Sequence, residues 1–83
     1  MPAQGAGGLV VYTRNDCGLC VELLGGLLDY CAGRGITFEV RDVDADPDTQ
    51  RRYGLQVPVL TLDGEMVCFG RLDVTELTRR LSG

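Results

Sequence analysis

The chain has 83 residues, a formal net charge of −4 and no histidine. This length allows a single domain, and the negative charge argues against nucleic acid or an anionic membrane as a partner, since both attract clustered positive charge. Without histidine, no Ser–His–Asp triad, Cys–His pair or mixed Cys/His zinc site can form. The sequence has no apolar run of about 18 residues that could span a membrane.

We expect residues 1–8 to form a flexible tail before a domain over residues 9–83. The first eight residues lack the basic and apolar regions of a secretory signal. Four cysteines without such a signal suggest a reducing, cytoplasmic setting, where a close cysteine pair is more often catalytic or metal-binding than structural.

The first two predicted elements are a strand and a long helix. Residues 9–13 form a β-branched run between glycines and Asn15-Asp16, which is typical of a buried strand. Apolar residues then recur at the spacing of one helix face. They are Cys20, Leu23, Leu24, Leu27, Leu28 and Cys31. Asp16 is the expected N-cap and Gly33 or Gly35 the terminator, and close approach of the helix to a sheet would explain Gly25-Gly26.

A second strand and a short helix follow. Ile36, Phe38 and Val40 alternate with polar residues, as in a half-buried strand. Asp46-Pro47 combines an N-cap with proline at the first helical position, and Gly54 is placed to end that helix.

The last third predicts a hairpin and a final helix. Two apolar runs, 59–62 and 65–69, flank Asp63-Gly64, a strong signal for a two-residue turn. Asp73 and Glu76 have the spacing of a capping box before a helix that runs through Leu77 and Leu81. The complete order is β-α-β-α-β-β-α. It predicts an α/β domain with a parallel first unit, an antiparallel hairpin and a four-stranded mixed sheet flanked by helices.

The most informative motif is Cys17-Gly18-Leu19-Cys20, at the junction between the first strand and the first helix. The free N–H groups of a helix start favour an anion such as a thiolate. Cys20 belongs to the apolar face and Cys17 precedes it, so we predict that Cys17 is the exposed nucleophile and Cys20 the buried resolving thiol. Leu19 is positioned to offer an apolar contact to a partner, and Arg14 to add positive charge beside the thiolate.

Two other interpretations of the cysteine pair stay open. A metal or iron–sulfur site is disfavoured because zinc normally takes four ligands, and Cys31 and Cys68 are isolated in sequence. We therefore expect no metal ligands. A non-catalytic adaptor that only docks a partner is the other alternative.

Several segments resemble the glutaredoxins of the thioredoxin-like superfamily, in particular short bacterial glutaredoxin-like proteins. Residues 12–20 resemble the active-site segment, with a basic residue three positions before the first cysteine. Residues 56–59 resemble the Val-Pro element, 63–65 the hairpin turn, and 69–73 the glycine-containing segment before the last helix. The matches follow the same order from Leu9 onward.

This resemblance implies a thioredoxin-like (glutaredoxin) fold and a thiol–disulfide oxidoreductase that reduces protein or glutathione mixed disulfides. It implies a monomer with no tightly bound cofactor and with glutathione as a possible co-substrate. It also implies that the Val57–Pro58 bond is cis, that Pro58 faces the dithiol, and that the Val57 backbone pairs with a bound peptide or glutathione. On the same pattern Arg14, Gly70 and Asp73 would line the glutathione groove.

The remaining reactive residue types have structural interpretations. We expect Cys31 and Cys68 to pack in the core, because buried free cysteine behaves as a small apolar side chain. Asp42, Asp44, Asp46 and Asp48 are spaced like part of a calcium loop. Pro47 and Tyr53 occupy positions where such a loop needs Gly and Glu, so we interpret these acids as a solvated helix entry.

Overall fold

A computed structural model describes residues 8–82, so the expected tail, apart from Gly8, and Gly83 lie outside the described residues. Within these residues, four strands and three helices occur in the predicted order. The strands are β1 (Leu9–Thr13), β2 (Phe38–Asp42), β3 (Val59–Leu62) and β4 (Glu65–Phe69). The helices are α1 (Gly18–Ala32), α2 (Pro47–Tyr53) and α3 (Val74–Ser82), with a 3-10 turn at Val43–Ala45 that the sequence did not predict.

The four strands form one mixed sheet in the order β2-β1-β3-β4. β1 is parallel to β2, with Val11 opposite Val40, and antiparallel to β3, with Val11 opposite Leu60. β3 and β4 are antiparallel, with an irregularity between Leu60 and Thr61. This confirms the predicted α/β class and the parallel first unit.

The sheet separates two apolar clusters, because successive side chains of a strand point to opposite faces. On one face, Val11 and Leu60 pack with Leu27 of α1 and Leu77 of α3. On the other face, Val59 packs with residues of the segment around α2. They are Val43 and Tyr53, with Tyr12, Val57 and Met66 against them. The helices therefore cover both faces of the sheet.

Local signals predicted the hairpin turn and three of the helix ends correctly. Asp63 and Gly64 both have positive φ angles, 52° and 88°, as the two-residue hairpin turn requires. The Asp46 carboxylate accepts a hydrogen bond from the Asp48 N–H, and the Gly54 N–H closes α2 on the Gln50 carbonyl. The Asp73 carboxylate accepts from the Glu76 N–H at 2.9 Å and so caps α3.

The prediction of which α1 residues are buried was wrong at one edge of the buried face. Leu28 is 60% exposed, whereas Tyr30 is buried and its hydroxyl is 2.8 Å from the Thr78 hydroxyl of α3. The reason is that α3 packs beside α1 on the side of Tyr30, so the buried face of α1 includes Tyr30. Leu72 also approaches this side, 3.1 Å from where a Cβ would stand on Gly26. The expected sheet contact therefore does not explain the two glycines, and nothing lies near Gly25.

The alternation predicted for β2 is also only partly observed. Ile36 precedes the strand, Phe38 is half-buried, and Val40 is 50% exposed. β2 is an edge strand whose hydrogen-bonded neighbour in the sheet is β1. Within residues 8–82, no helix combines the length and apolar character needed to cross a membrane.

Candidate functional site

The dithiol lies where β1 ends and α1 begins, but the helix start differs from the prediction. Asp16 has a φ of 58° and belongs to the turn before the helix, so it is not the N-cap. Cys17 is extended, with φ −116° and ψ 106°, and its sulfur accepts a hydrogen bond from the Cys20 N–H at 3.2 Å. A left-handed residue directly before the helix moves the capping position one residue along the chain. The candidate nucleophile is therefore itself the N-cap.

The two thiols have different surroundings, as predicted. Cys17 is partly exposed, while only 3% of Cys20 is accessible. Burial raises the pKa of the Cys20 thiol, and its hydrogen bond with Cys17 raises that pKa further, against a smaller lowering by the Arg14 backbone. Cys20 is therefore held as a neutral thiol beside Cys17.

The first turn of α1 directs a backbone donor at the Cys17 sulfur. The Cys20 N–H is one of the groups that have no partner within the helix, and here it donates to Cys17. The aligned peptide dipoles add positive potential at the same place. A backbone donor and the positive end of the helix therefore meet at the sulfur of the candidate nucleophile, with a second thiol one helical turn away.

An open depression of about 450 Å³ adjoins the two cysteines. The β1–α1 loop forms one wall, and the first two turns of α1 form the other. The lining residues are Thr13, Arg14, Asn15, Asp16, Cys17, Gly18, Cys20, Val21 and Leu24. Sequence analysis missed Val21 and Leu24, although their spacing from Cys17 places them above it on the helix.

Arg14 lines this depression, but its guanidinium is engaged with the α2 segment. It makes two hydrogen bonds of 2.8 Å to the Asp44 carboxylate and one of 2.8 Å to the Gly54 carbonyl. The Arg14 guanidinium and the Gln50 amide hold the pKa of Asp44 at about 2. Asp44 was therefore misinterpreted as simply solvated, and no local pattern could have revealed a partner 30 residues away.

The other predicted groove residues lie on three segments of the chain. Leu19 is 41% exposed on the first turn of α1. The Val57–Pro58 bond is cis, as the resemblance implied, and the Pro58 carbonyl accepts a hydrogen bond from the Gly70 N–H at 2.8 Å. Asp73 lines a different open depression, of about 650 Å³, together with Cys68. The structure thus joins Gly70 to Pro58 and groups Arg14 with the cysteines.

The two other cysteines differ in burial. Cys31 is 2% exposed within the cluster that contains Leu27, and burial raises the pKa of its thiol. Cys68 is half-buried beside the same cluster, and burial raises the pKa of its thiol against an opposing hydrogen bond from the Asp73 backbone. All four cysteines are free thiols. Among residues 8–82, no three Cys, Asp or Glu side chains are grouped as a metal ion would require.

The sheet order, the helices on both faces and the cysteine pair at the start of α1 define a protein of the thioredoxin-like fold. More specifically, residues 8–82 match the family model of the glutaredoxin-like domain (DUF836), and the chain belongs to that family. No protein of curated function is significantly similar to it in sequence.

Solved structures with the same fold include two from bacteria. A structural genomics target protein from X. campestris is 30% identical, with a TM-score of 0.68, and the match covers 90% of this chain and 96% of that one. A protein from Nitrosomonas europaea is 29% identical, with a TM-score of 0.78 and coverage of 96% and 98%. The holo form of glutaredoxin C1 from Populus tremula x tremuloides, 16% identical over 93% of this chain and 76% of that chain, has a TM-score of 0.54 and shares the fold.

Proposed function

We propose that this protein is a thiol–disulfide oxidoreductase in which Cys17 attacks the substrate and Cys20 resolves the intermediate. One observation carries the proposal. The partly exposed Cys17 sulfur caps α1 and accepts the Cys20 N–H, while the Cys20 thiol is buried beside it. Membership in the glutaredoxin-like family supports the same chemistry, because thioredoxin-like folds carry redox or adaptor roles.

The reaction runs in two exchange steps. The Cys17 thiolate attacks one sulfur of a disulfide, forms a mixed disulfide with it and releases the other half as a thiolate that takes a proton from water. Cys20 then loses its proton and attacks the Cys17 sulfur. The Cys17–Cys20 disulfide forms, and the second half of the substrate leaves as a thiol. Two electrons pass to the substrate, and an external dithiol or two monothiols such as glutathione return them.

The burial of Cys20 gives the two steps their order. The raised pKa of Cys20 keeps it protonated while Cys17 reacts first with the incoming disulfide. Cys17 and Cys20 are three positions apart in the chain, which places them about one helical turn from each other and allows the second exchange. The exposed Leu19 side chain and the Val57 backbone are the proposed contacts for the substrate beside this site. The four free thiols suit the reducing, cytoplasmic compartment that we propose for the protein.

Trapping of the mixed disulfide tests this proposal. In the Cys20→Ser variant the second step is blocked, so oxidised glutathione or a small protein disulfide should leave a covalent adduct on Cys17, detected by intact mass and peptide mapping. Two controls accompany it: the Cys17→Ser/Cys20→Ser variant should form no adduct, and Cys68→Ser should behave as wild type. The absence of an adduct in the Cys20→Ser variant, or turnover that survives Cys17→Ser, would overturn the proposal and leave the adaptor role.

A further inference from the structure

All three guanidinium nitrogens of Arg14 already donate to protein acceptors. Nε and Nη2 donate to the two oxygens of the Asp44 carboxylate, and Nη1 donates to the Gly54 carbonyl, each at 2.8 Å. A paired, two-pronged contact of this kind fixes the plane of the guanidinium as well as its position. Three of the five N–H donors of Arg14 are therefore used, and the edge formed by Nε and Nη2 is already occupied by a carboxylate.

The acceptors for Arg14 are themselves held in place. Asp44 accepts a further hydrogen bond from the Gln50 amide at 3.1 Å, and its backbone N–H donates to the Asp42 carboxylate at 2.9 Å. Gly54 ends α2, with its N–H bonded to the Gln50 carbonyl at 2.9 Å. The 3-10 turn and α2 therefore hold both acceptors of Arg14 in position.

The charge of Arg14 nevertheless acts at the dithiol. Arg14 and Cys17 line the same depression. The pKa of Arg14 is raised first by the hydrogen bond with Asp44, and also by the negative charges of Asp44, Asp42 and the Cys17 thiolate. The Asp44 carboxylate, 2.8 Å from Arg14, offsets most of the field that Arg14 would present to an incoming anion.

The other charged residues near the start of α1 do not restore that field. Asp16, an acidic residue, also lines the depression. Arg71 is 82% exposed and lies 3.9 Å from Glu22, a long and solvated pair. The depression is therefore lined by one cation whose charge is compensated and by one acidic residue. Such a surface disfavours a negatively charged disulfide relative to a neutral or basic one.

Resting on the proposed function, we infer that Asp44 is a specificity-determining residue. By holding and neutralising Arg14, it directs Cys17 toward disulfides without net negative charge, such as those in neutral or basic protein segments, and away from anionic disulfides such as oxidised glutathione. Each half of oxidised glutathione carries two carboxylates and one ammonium group, so the molecule is net negative at neutral pH. Asp44 acts through Arg14 and does not contact the reacting sulfurs.

A charge series of small disulfides tests this inference. In the Cys20→Ser background, Cys17 forms a bond to one sulfur of the probe while the probe's S–S bond breaks and its other half leaves as a thiolate. The probes are oxidised glutathione (anionic), 2-hydroxyethyl disulfide (neutral) and cystamine (cationic), and intact mass gives the rate for each. The measured quantity is the rate with oxidised glutathione divided by the rate with the neutral probe.

Asp44→Asn should raise this ratio about two- to fivefold, the size of one exposed charge interaction, and the gain should shrink at high salt. Asp48→Asn is the matched control, because it removes the same charge from a carboxylate paired only with Arg51 and Arg52 on α2. It should leave the ratio unchanged, and Asp44→Glu should keep it near the wild-type value. Arg14→Gln, which leaves Asp44 without its cation, should lower it.

Each outcome is decisive for one of the two proposals. A ratio unchanged by both Asp44→Asn and Arg14→Gln, or raised equally by Asp48→Asn, overturns the role of Asp44 while leaving the redox function in place. Absence of any adduct with all three probes in all variants overturns the proposed function and the inference with it. Thermal unfolding of each variant identifies any that fails to fold, and the remaining member of the Asp44 and Arg14 pair then gives the answer.

Discussion

The Cys17 sulfur and the Cys20 backbone N–H are 3.2 Å apart, and this hydrogen bond begins α1. One sulfur therefore has two roles, since it caps a helix and is the proposed nucleophile. Serine replaces the capping sulfur with a capping oxygen, whereas alanine has no side-chain acceptor for the helix N–H groups. The two substitutions at this position should separate the structural role from the chemical one.

We expect Cys17→Ser to unfold at nearly the wild-type denaturant midpoint or above it, and Cys17→Ala to be less stable than Cys17→Ser by about 0.5–2 kcal/mol. Both should lose all disulfide reduction. Urea titration followed by far-UV circular dichroism measures the difference. Cys31 is a matched control for which the expected order of stability is reversed. Cys31→Ser should be less stable than Cys31→Ala, because a buried serine inside a helix caps nothing and alanine favours the helix. Equal stability of the two Cys17 variants would contradict the capping role.

Alkylation should distinguish the thiols by their exposure. In the native protein, iodoacetamide should modify Cys17 about tenfold or more faster than Cys20 and Cys31, whose exposures are 3% and 2%. Burial also raises the pKa of the Cys20 and Cys31 thiols and so keeps them in the unreactive protonated form. Peptide mass spectrometry over a time course gives the individual rates. In urea the differences should largely disappear, and comparable native rates would mean that Cys20 is not buried.

Two glycines should respond in opposite ways to alanine. A Cβ on Gly54 would overlap the Gln50 carbonyl oxygen and lie 3.3 Å from Nη2 of Arg14, so Gly54→Ala should destabilise the fold by about 1–3 kcal/mol. A Cβ on Gly25, inside α1, meets nothing within 4 Å, so Gly25→Ala should stabilise it by about 0.5–1 kcal/mol. Urea midpoints measure both changes. A stable Gly54→Ala protein would show that the end of α2 adapts to the added methyl group.

The ion pairs of α3 should make stability depend on pH in acid. The Arg79 and Arg80 guanidinium groups hold the pKa of Glu76 at about 2, below its ordinary value of 4.5. Because the pKa is lower in the folded state, this stabilisation is complete above about pH 5 and is lost as the pH falls toward 2. Glu76→Gln should therefore be less stable than wild type at pH 7, with a difference that shrinks between pH 5 and 2.

Urea titrations at several pH values measure this dependence. Glu22→Gln is a suitable control, because Glu22 is 71% exposed and lies 3.9 Å from its arginine. Its stability should follow the wild-type curve. A difference between Glu76→Gln and wild type that stays constant from pH 7 to pH 2 would show that the Glu76 ion pairs do not carry the effect.

Much of the fold could be predicted because its signals are local. The Asp63-Gly64 turn, the Asp46 cap and the strand over residues 9–13 each depend on neighbours within a few positions, and all three are observed. The position of the cysteine pair at a strand-to-helix junction follows from the same kind of evidence. The cap of α1 was misassigned by one residue, because aspartate is a common N-cap but Asp16 adopts a left-handed conformation.

Local sequence patterns were enough to predict the order of the elements, the hairpin and the position of the dithiol, since short-range sterics and hydrogen bonds fix these features. The burial of Tyr30 in place of Leu28 on α1 follows from tertiary packing, because α3 packs on that side. The pairing of Arg14 with Asp44, 30 residues away, in place of an Arg14 side chain free in a solvent-filled groove, also follows from the tertiary structure. Which charged side chains face each other depends on the path of the whole chain, and the spacing of residues in the sequence does not predict that path.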